Sequence, residues 1–298
     1  MEKNKKMDLV YILGTGSRWR NNEIRYSLRS VQKHMDIGRV FIVGECPEWI
    51  TGVVHVPAKD MEKNKQLNAR HKYEVAARDK RISKDFILMN DDFFILKPVS
   101  EVEYYIRGTI DEMIQRHPTK GGYYYRSLCD TKRVLESMGI DDPQDFEIHS
   151  PIIFNKDKLL MTMNMIPADK AYSLRSCYGN LNEIKGKKVI DFKAAGIVDW
   201  AYQKKRSPAY LSISDALVAQ KEFRDWLRFK FRHPSKYETD RGAGEDMLPW
   251  ATMGSLRFYA KQSFTYAGKM YSKGEILDPE MMDELRNSSK MRNCWELK

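Results

Sequence analysis

Short apolar runs alternate with polar stretches of helical period through the N-terminal third of the chain. Asp8 to Leu13 is compact, apolar and partly β-branched, and so predicts a strand. It stops at Gly14-Thr15-Gly16-Ser17, a flexible turn whose backbone can approach a ligand closely. From Glu23 to His34 the apolar residues Ile24, Leu28 and Val31 recur at helical spacing. Arg39 to Glu45 and Val53 to Pro57 predict two more strands, and Lys59 to Arg81 a polar helix. Phe86 to Met89 is a further strand that runs directly into Asn90-Asp91-Asp92. Strand, helix, strand, strand, helix, strand predicts an α/β fold with a mostly parallel sheet flanked by helices.

Beyond this unit the pattern predicts a helix over Ser100 to Gln115, then an aromatic strand at Gly121 to Arg126. A strand over Glu147 to Phe154 leads into a helix from Lys156 to Met163. Helices follow over Asp199 to Lys205 and Ser214 to Phe231, and a last element over Met247 to Tyr259. Two alternating runs around Ala267-Gly268 predict a hairpin, with a short helix from Pro279 to Arg286. This reading divides the chain into a large α/β domain, residues 1–255, and a small C-terminal module, residues 256–298.

Composition narrows the class. The hydrophobic share of 42% over 298 residues supports a globular core. No apolar run approaches the roughly 18–20 residues that span a bilayer. The segment Met1 to Lys6 is charged and lacks the apolar stretch of a signal peptide, so a cytoplasmic protein without membrane insertion is expected. Cys46, Cys129, Cys177 and Cys294 are scattered, which fits reduced thiols and no zinc site. The net charge of +10 points to a polyanionic partner or a phosphate-rich substrate.

The candidate chemistry starts at Asp91 and Asp92. Two carboxylates amid apolar sequence are costly to bury without compensation, and a hard divalent cation supplies it through oxygen ligands. A solvated turn is the plain alternative. Arg25 and Arg29, one helical turn apart, form either a solvated face or a diphosphate contact. Gly14 to Ser17 lacks the spacing of a P-loop. Arg228 to His233 interleaves cations with aromatics, which suits stacked bases or phosphates and equally an amphipathic helix end. His149 alone reads more readily as structural than catalytic.

Several of these stretches together resemble the Stealth family, proteins of the hexose-1-phosphotransferase type that build or modify glycans. Glu23 and Arg25-Tyr26-Ser27-Leu28-Arg29-Ser30, the strand that follows and Pro47-Glu48-Trp49-Ile50 are similar to its second region. Phe86 to Phe94 resembles its F-x-Y-L-N-D-D-x-F segment. His149-Ser150-Pro151 with Asn155-Lys156 is similar to a later region, and Tyr172 to Arg175 to a later arginine. Pro234-Ser235-Lys236-Tyr237-Glu238 resembles a box of related bacterial sugar transferases. The chain departs from the family at Thr15 and Arg18, where acids or amides are usual, and after Arg175.

The resemblance implies a glycosyltransferase-A-like, Rossmann-like fold and a nucleotide-sugar donor, UDP-sugars first. It implies Mn²⁺ or Mg²⁺ at Asp91 and Asp92, with Asp92, His149 and Arg175 in catalysis. Thr15, Gly16, Arg18, Arg25 and Arg29 are then the donor contacts. Three functions follow in order: glycosyl transfer to a hydroxyl, with a modified base in DNA as the acceptor suggested by charge, as in a phage-type enzyme; sugar-1-phosphate transfer to surface polysaccharide; and nucleic-acid binding without catalysis.

Overall fold

The computed structural model describes residues 6–17, 19–117, 121–168, 170–239, 258–260, 262–266, 269–275 and 295–297. Its first unit contains β1 (Asp8–Leu13), α1 (Asn22–His34), β2 (Val40–Gly44), β3 (Val54–Val56), α2 (Lys65–Arg78) and β4 (Asp85–Asn90). After a two-residue turn come β5 (Phe93–Ile95), β6 (Tyr105–Ile106), α3 (Ile110–Arg116) and α4 (Tyr123–Ser137). Then follow β7 (Ile152–Asn155), α5 (Lys156–Met165), α6 (Leu174–Leu181), β8 (Lys187–Lys188) and β9 (Lys193–Ala194). The chain continues through α7 (Ile197–Arg206), β10 (Tyr210–Ile213), α8 (Asp215–Val218) and α9 (Lys221–Lys230). Four short strands lie beyond: β11 (Phe258–Ala260), β12 (Phe264–Tyr266), β13 (Lys269–Tyr271) and β14 (Trp295–Leu297).

The central sheet has the order β3-β2-β1-β4-β7, parallel except for β7. The architecture is thus α/β with a mostly parallel sheet between helices. Its apolar strands are continuous because both faces are covered. Leu9, Tyr11, Ile42 and Ile87 pack with Ile24, Leu28 and Val31 of α1. Their neighbours Val10, Phe41, Phe86 and Leu88 pack with Tyr73 and Ala76 of α2 and Leu159 of α5. A second sheet, β5-β10-β9, continues from the end of β4. The expected hairpin is present as the antiparallel pair β12 and β13. No described helix is long and apolar enough to cross a membrane.

Four local expectations are corrected. Tyr123 to Arg126 opens α4 rather than a strand: Ser127, Leu128, Thr131 and Leu135 are its buried face, and that helical spacing outweighs the β-propensity of the tyrosines. The helix expected from Ser100 shrinks to α3, after β6 and a glycine at φ 136°, Gly108. The polar helix begins only at Lys65, where the Asn64 side chain caps it by accepting from the Gln66 amide. Ser214 to Phe231 is two helices, not one. Among the expected elements, the helix at Pro279 to Arg286 lies outside the described residues, as does most of Met247 to Tyr259.

Candidate active site

The sheet order reverses between β1 and β4, because β2 and β3 extend to one side of β1 and β4 to the other. Open α/β sheets bind ligands in the crevice outside the carboxyl ends of such strands. Here a cleft of about 460 Å³ occupies that place. Gly14, Gly16 and Ser17 line it after β1, and Asn90, Asp91 and Asp92 after β4. Lys65 and Lys72 of α2, Lys193 of β9 and Glu23 of α1 also face it.

The turn after β1 is organised by Ser17. Its hydroxyl donates to Glu23 Oε2 at 2.8 Å and accepts from the amides of Trp19 and Asn21 at 3.2 and 2.8 Å. Arg20 and Asn21 have φ of 54° and 59°, left-handed conformations uncommon for residues with a side chain. Thus a tight, strained turn carries Glu23 into the cleft. Opposite, Lys72 is buried and pairs with Asp60. Gly44, at φ 122°, makes room for it: a Cβ there would lie 2.0 Å from the Leu13 carbonyl and 2.8 Å from Lys72 Cε.

Charge in the cleft is unevenly matched. Glu23, Asp60, Asp91, Asp92 and Asp215 face three ammonium groups, those of Lys65, Lys72 and Lys193. Asp91 bears the imbalance. Burial, followed by the like charges of Asp92 and Glu23, pushes its carboxyl up to about 7, against the opposing effect of hydrogen bonds from the Asp91 and Asp92 amides. Burial also raises Glu23, with Asp215 and Asp92 adding repulsion. Asn90 Oδ1 is buried and has no hydrogen-bond partner. Asp92, by contrast, is engaged: Lys193 Nζ is 2.8 Å away and the Ser212 hydroxyl donates at 2.9 Å.

These facts bear on a divalent cation. The crowded Asp91 carboxyl and the unpartnered Asn90 Oδ1 offer oxygen donors beside the cleft, which fits a hard ion with few protein ligands. No group of three or more His, Cys, Asp or Glu residues arranged for a metal occurs among the described residues. A pair of oxygens completed by substrate phosphate is the arrangement these residues fit. Asp92, expected beside Asp91 as a ligand, has one carboxylate oxygen, Oδ2, paired with Lys193 Nζ.

The other expected site residues divide. Gly16 lines the cleft, and the Thr15 amide lies beside Asp60 Oδ2 at 3.4 Å. Arg18 lies outside the described residues. Arg25 and Arg29 do not line the cleft, and their assignment to a diphosphate is corrected. Both are buried and grip Glu238: Arg29 through Nε and Nη2 at 2.8 and 2.6 Å, Arg25 through Nη1 at 2.9 Å. Arg25 also stacks on Trp49 at 4.0 Å, and Glu238 Oε1 accepts from the Ser235 amide. Burial would raise the Glu238 carboxyl, but the arginines and the Ser235 amide hold it below the usual range.

His149 and Arg175 are brought to each other rather than to the cleft lining. Arg175 Nη1 donates to the carbonyls of Ile148 and Ser150 at 2.7 and 2.8 Å, fixing the segment that carries His149. Phe93 joins them, with Arg175 over its ring at 5.5 Å and His149 edge-on at 6.1 Å. His149 Nδ1 lies 2.7 Å from Asp191 Oδ2. Burial would raise that carboxyl, but the hydrogen bonds and charge of His149 prevail, with Arg107 adding to them, and hold it at about 2. Within the cationic stretch at the end of α9, Arg228 donates to Asp225 at 3.2 Å and lies 5.9 Å from Trp19.

No family model matches the sequence, and no curated protein matches it. Among the solved structures similar to it are two of the glycosyltransferase GlyE of Streptococcus pneumoniae TIGR4, one of them the apo form. The apo form is 11% identical with a TM-score of 0.40, the other 12% identical with a TM-score of 0.41. Each comparison covers 84% of this chain and 64% of that chain, so this chain spans under two thirds of their length. A likeness at that level assigns neither substrate nor chemistry.

Sequence reasoning missed Lys65, Lys193, Asp60 and Asp215 as cleft residues, and gave Glu23 no chemical role. Lys193 had no local signal, because its partner Asp92 is 101 residues away. Glu23 had one: it opens the arginine-bearing helix directly after the glycine turn.

Proposed function

We propose that this protein is a nucleotide-sugar-dependent glycosyltransferase whose donor diphosphate lies in the β1/β4 crevice. The observation that carries this reading is the cleft itself. At one topological switch point it combines a glycine turn, three lysines, an Asp91 carboxyl crowded by like charge and the unpartnered Asn90 Oδ1. The amides of the Gly14–Ser17 turn can approach the nucleotide, and the lysines balance its phosphates. A divalent cation held by Asp91 and Asn90 would supply Lewis-acid neutralisation of the leaving group. The bond from the anomeric carbon to the β-phosphate oxygen breaks, and a bond to the acceptor hydroxyl oxygen forms. Asp215, an exposed residue lining the cleft, is a carboxylate within this site for the acceptor's proton. The positive charge of the whole chain favours a polyanionic acceptor, DNA with modified bases among them. Binding of that acceptor should then weaken steeply as salt rises.

Sugar-1-phosphate transfer is the second reading. It is favoured by Phe93, which joins His149 and Arg175 two residues from Asp91 and so gathers the regions named by the Stealth resemblance. There the bond from the β-phosphorus to the bridging anhydride oxygen breaks, a bond from that phosphorus to the acceptor hydroxyl oxygen forms, the nucleoside monophosphate leaves, and the product keeps the β-phosphate.

Thermal unfolding with a panel of nucleotide sugars, with and without Mn²⁺, tests both. One donor should stabilise wild type by about 2.7 kcal/mol at a hundredfold excess over its Kd with Mn²⁺, and by clearly less without Mn²⁺ and in Asp91→Ala. No shift with any donor would overturn both transfer reactions and leave nucleic-acid binding. Phosphorus analysis of the product separates the two transfers.

A further inference from the structure

Lys193 is held more tightly than a surface lysine needs to be. An ammonium group has three hydrogens to donate and no acceptor, and all three find oxygen here. Nζ is 2.8 Å from Asp92 Oδ2 and 3.1 Å from Ser212 Oγ, and it also donates to the carbonyl of Ile213. Carboxylate, hydroxyl and carbonyl oxygens together are the donor set of a small cation site. The sheet fixes this arrangement. In β10, Ser212 stands opposite Phe93 on one side and Lys193 on the other, so all three lie in one row across the second sheet. The lysine backbone is tied as well, since Gln203 Nε2 donates to its carbonyl at 3.2 Å. At 27% exposure the side chain is still open to the cleft that it lines.

We propose that Lys193 is a resident cation of this cleft: its ammonium fills the Asp92 position, so that the chain takes one divalent ion, at Asp91, rather than two. This rests on the donor-site reading above and adds a second consequence. The charge of Lys193 acts on the donor's diphosphate whether or not a metal is bound. Asp92 is thereby a positioning residue that holds Lys193, and Ser212 completes the hold by donating to the same carboxylate oxygen.

Mn²⁺ binding followed by electron paramagnetic resonance, with no nucleotide present, tests the assignment on the full chain. Wild type should bind one ion, lost in Asp91→Asn and retained in Asp92→Asn. Lys193→Gln removes the charge but keeps a hydrogen-bond donor. It should bind Mn²⁺ at least about tenfold more tightly or take a second ion, whereas Lys193→Arg should match wild type. Two ions on wild type, loss of the ion in Asp92→Asn, or unchanged Mn²⁺ binding in folded Lys193→Gln would each overturn the proposal. The stoichiometry of wild type and Asp92→Asn decides the matter even if Lys193→Gln fails to fold. Calorimetry with UDP in EDTA gives the second arm: Lys193→Gln should weaken UDP by about tenfold, and an unchanged affinity would overturn the diphosphate role. If wild type binds no UDP with or without Mn²⁺, the donor reading fails, and the Mn²⁺ arm still decides what Lys193 does.

Discussion

Two charge clusters lie on opposite terms within this fold. Around Glu238, one carboxylate meets two guanidinium groups and a serine amide, with an indole over one of the cations. Around Asp91, a carboxylate meets other carboxylates, and the amide oxygen beside it has no partner at all. Both sit next to α1, and both came from stretches that read as chemistry in the sequence. The difference separates their roles. A completed cluster stabilises and has nothing left to offer a ligand, whereas an incomplete one is a standing demand for a cation.

The strongest way to break this contrast is to remove the satisfied partner. Glu238→Ala would leave two buried guanidinium groups unpaired and should cost about 3–5 kcal/mol, readable as a lower denaturation midpoint at unchanged slope. Next is pH. The raised Asp91 carboxyl binds its proton more tightly in the native state. Its contribution is therefore full below its ordinary value of 3.8 and is lost as pH rises through about 7. Asp91→Asn should remove that decline, so its unfolding temperature should exceed wild type most clearly above pH 7. Glu238 works in the opposite sense. Its carboxyl is lowered, so its stabilisation is present above the ordinary carboxylate value and lost as pH falls through the folded one. Glu238→Gln should flatten the acid limb alone. The smallest effect belongs to Asn90→Ala, which should change stability by less than about 1 kcal/mol, since its oxygen makes no bond to lose. The same variant should nevertheless lose the Mn²⁺-dependent donor shift; retention of that shift would remove Asn90 from the site.

The central sheet was legible because β1, β2 and β4 are buried on both faces and therefore read as unbroken apolar runs. Asn90-Asp91 was legible because acids directly after such a run are either a solvated turn or costly to bury without a partner. What failed to show were pairings across long separations. Helical spacing placed Arg25 and Arg29 on one face, but nothing local told which way that face points, and it points at residue 238 rather than at the cleft. Asp92 and Lys193 meet only through the register of β10, a strand that the pattern did not reveal. Tyr123 to Tyr125 misled in another way: residue preference favoured a strand, and burial of one side of α4 decided for a helix.

The Glu238 clasp also has a consequence for how the chain is made. Arg25 is synthesised 213 residues before its counter-ion. Until residue 238 leaves the ribosome, α1 would have to bury two bare cations to seat against the sheet. Docking of α1 on the nascent chain should therefore wait for the segment that carries Glu238. A fragment ending short of Glu238 would inherit the same defect permanently, which sets a minimum length for any piece of this protein expected to fold by itself.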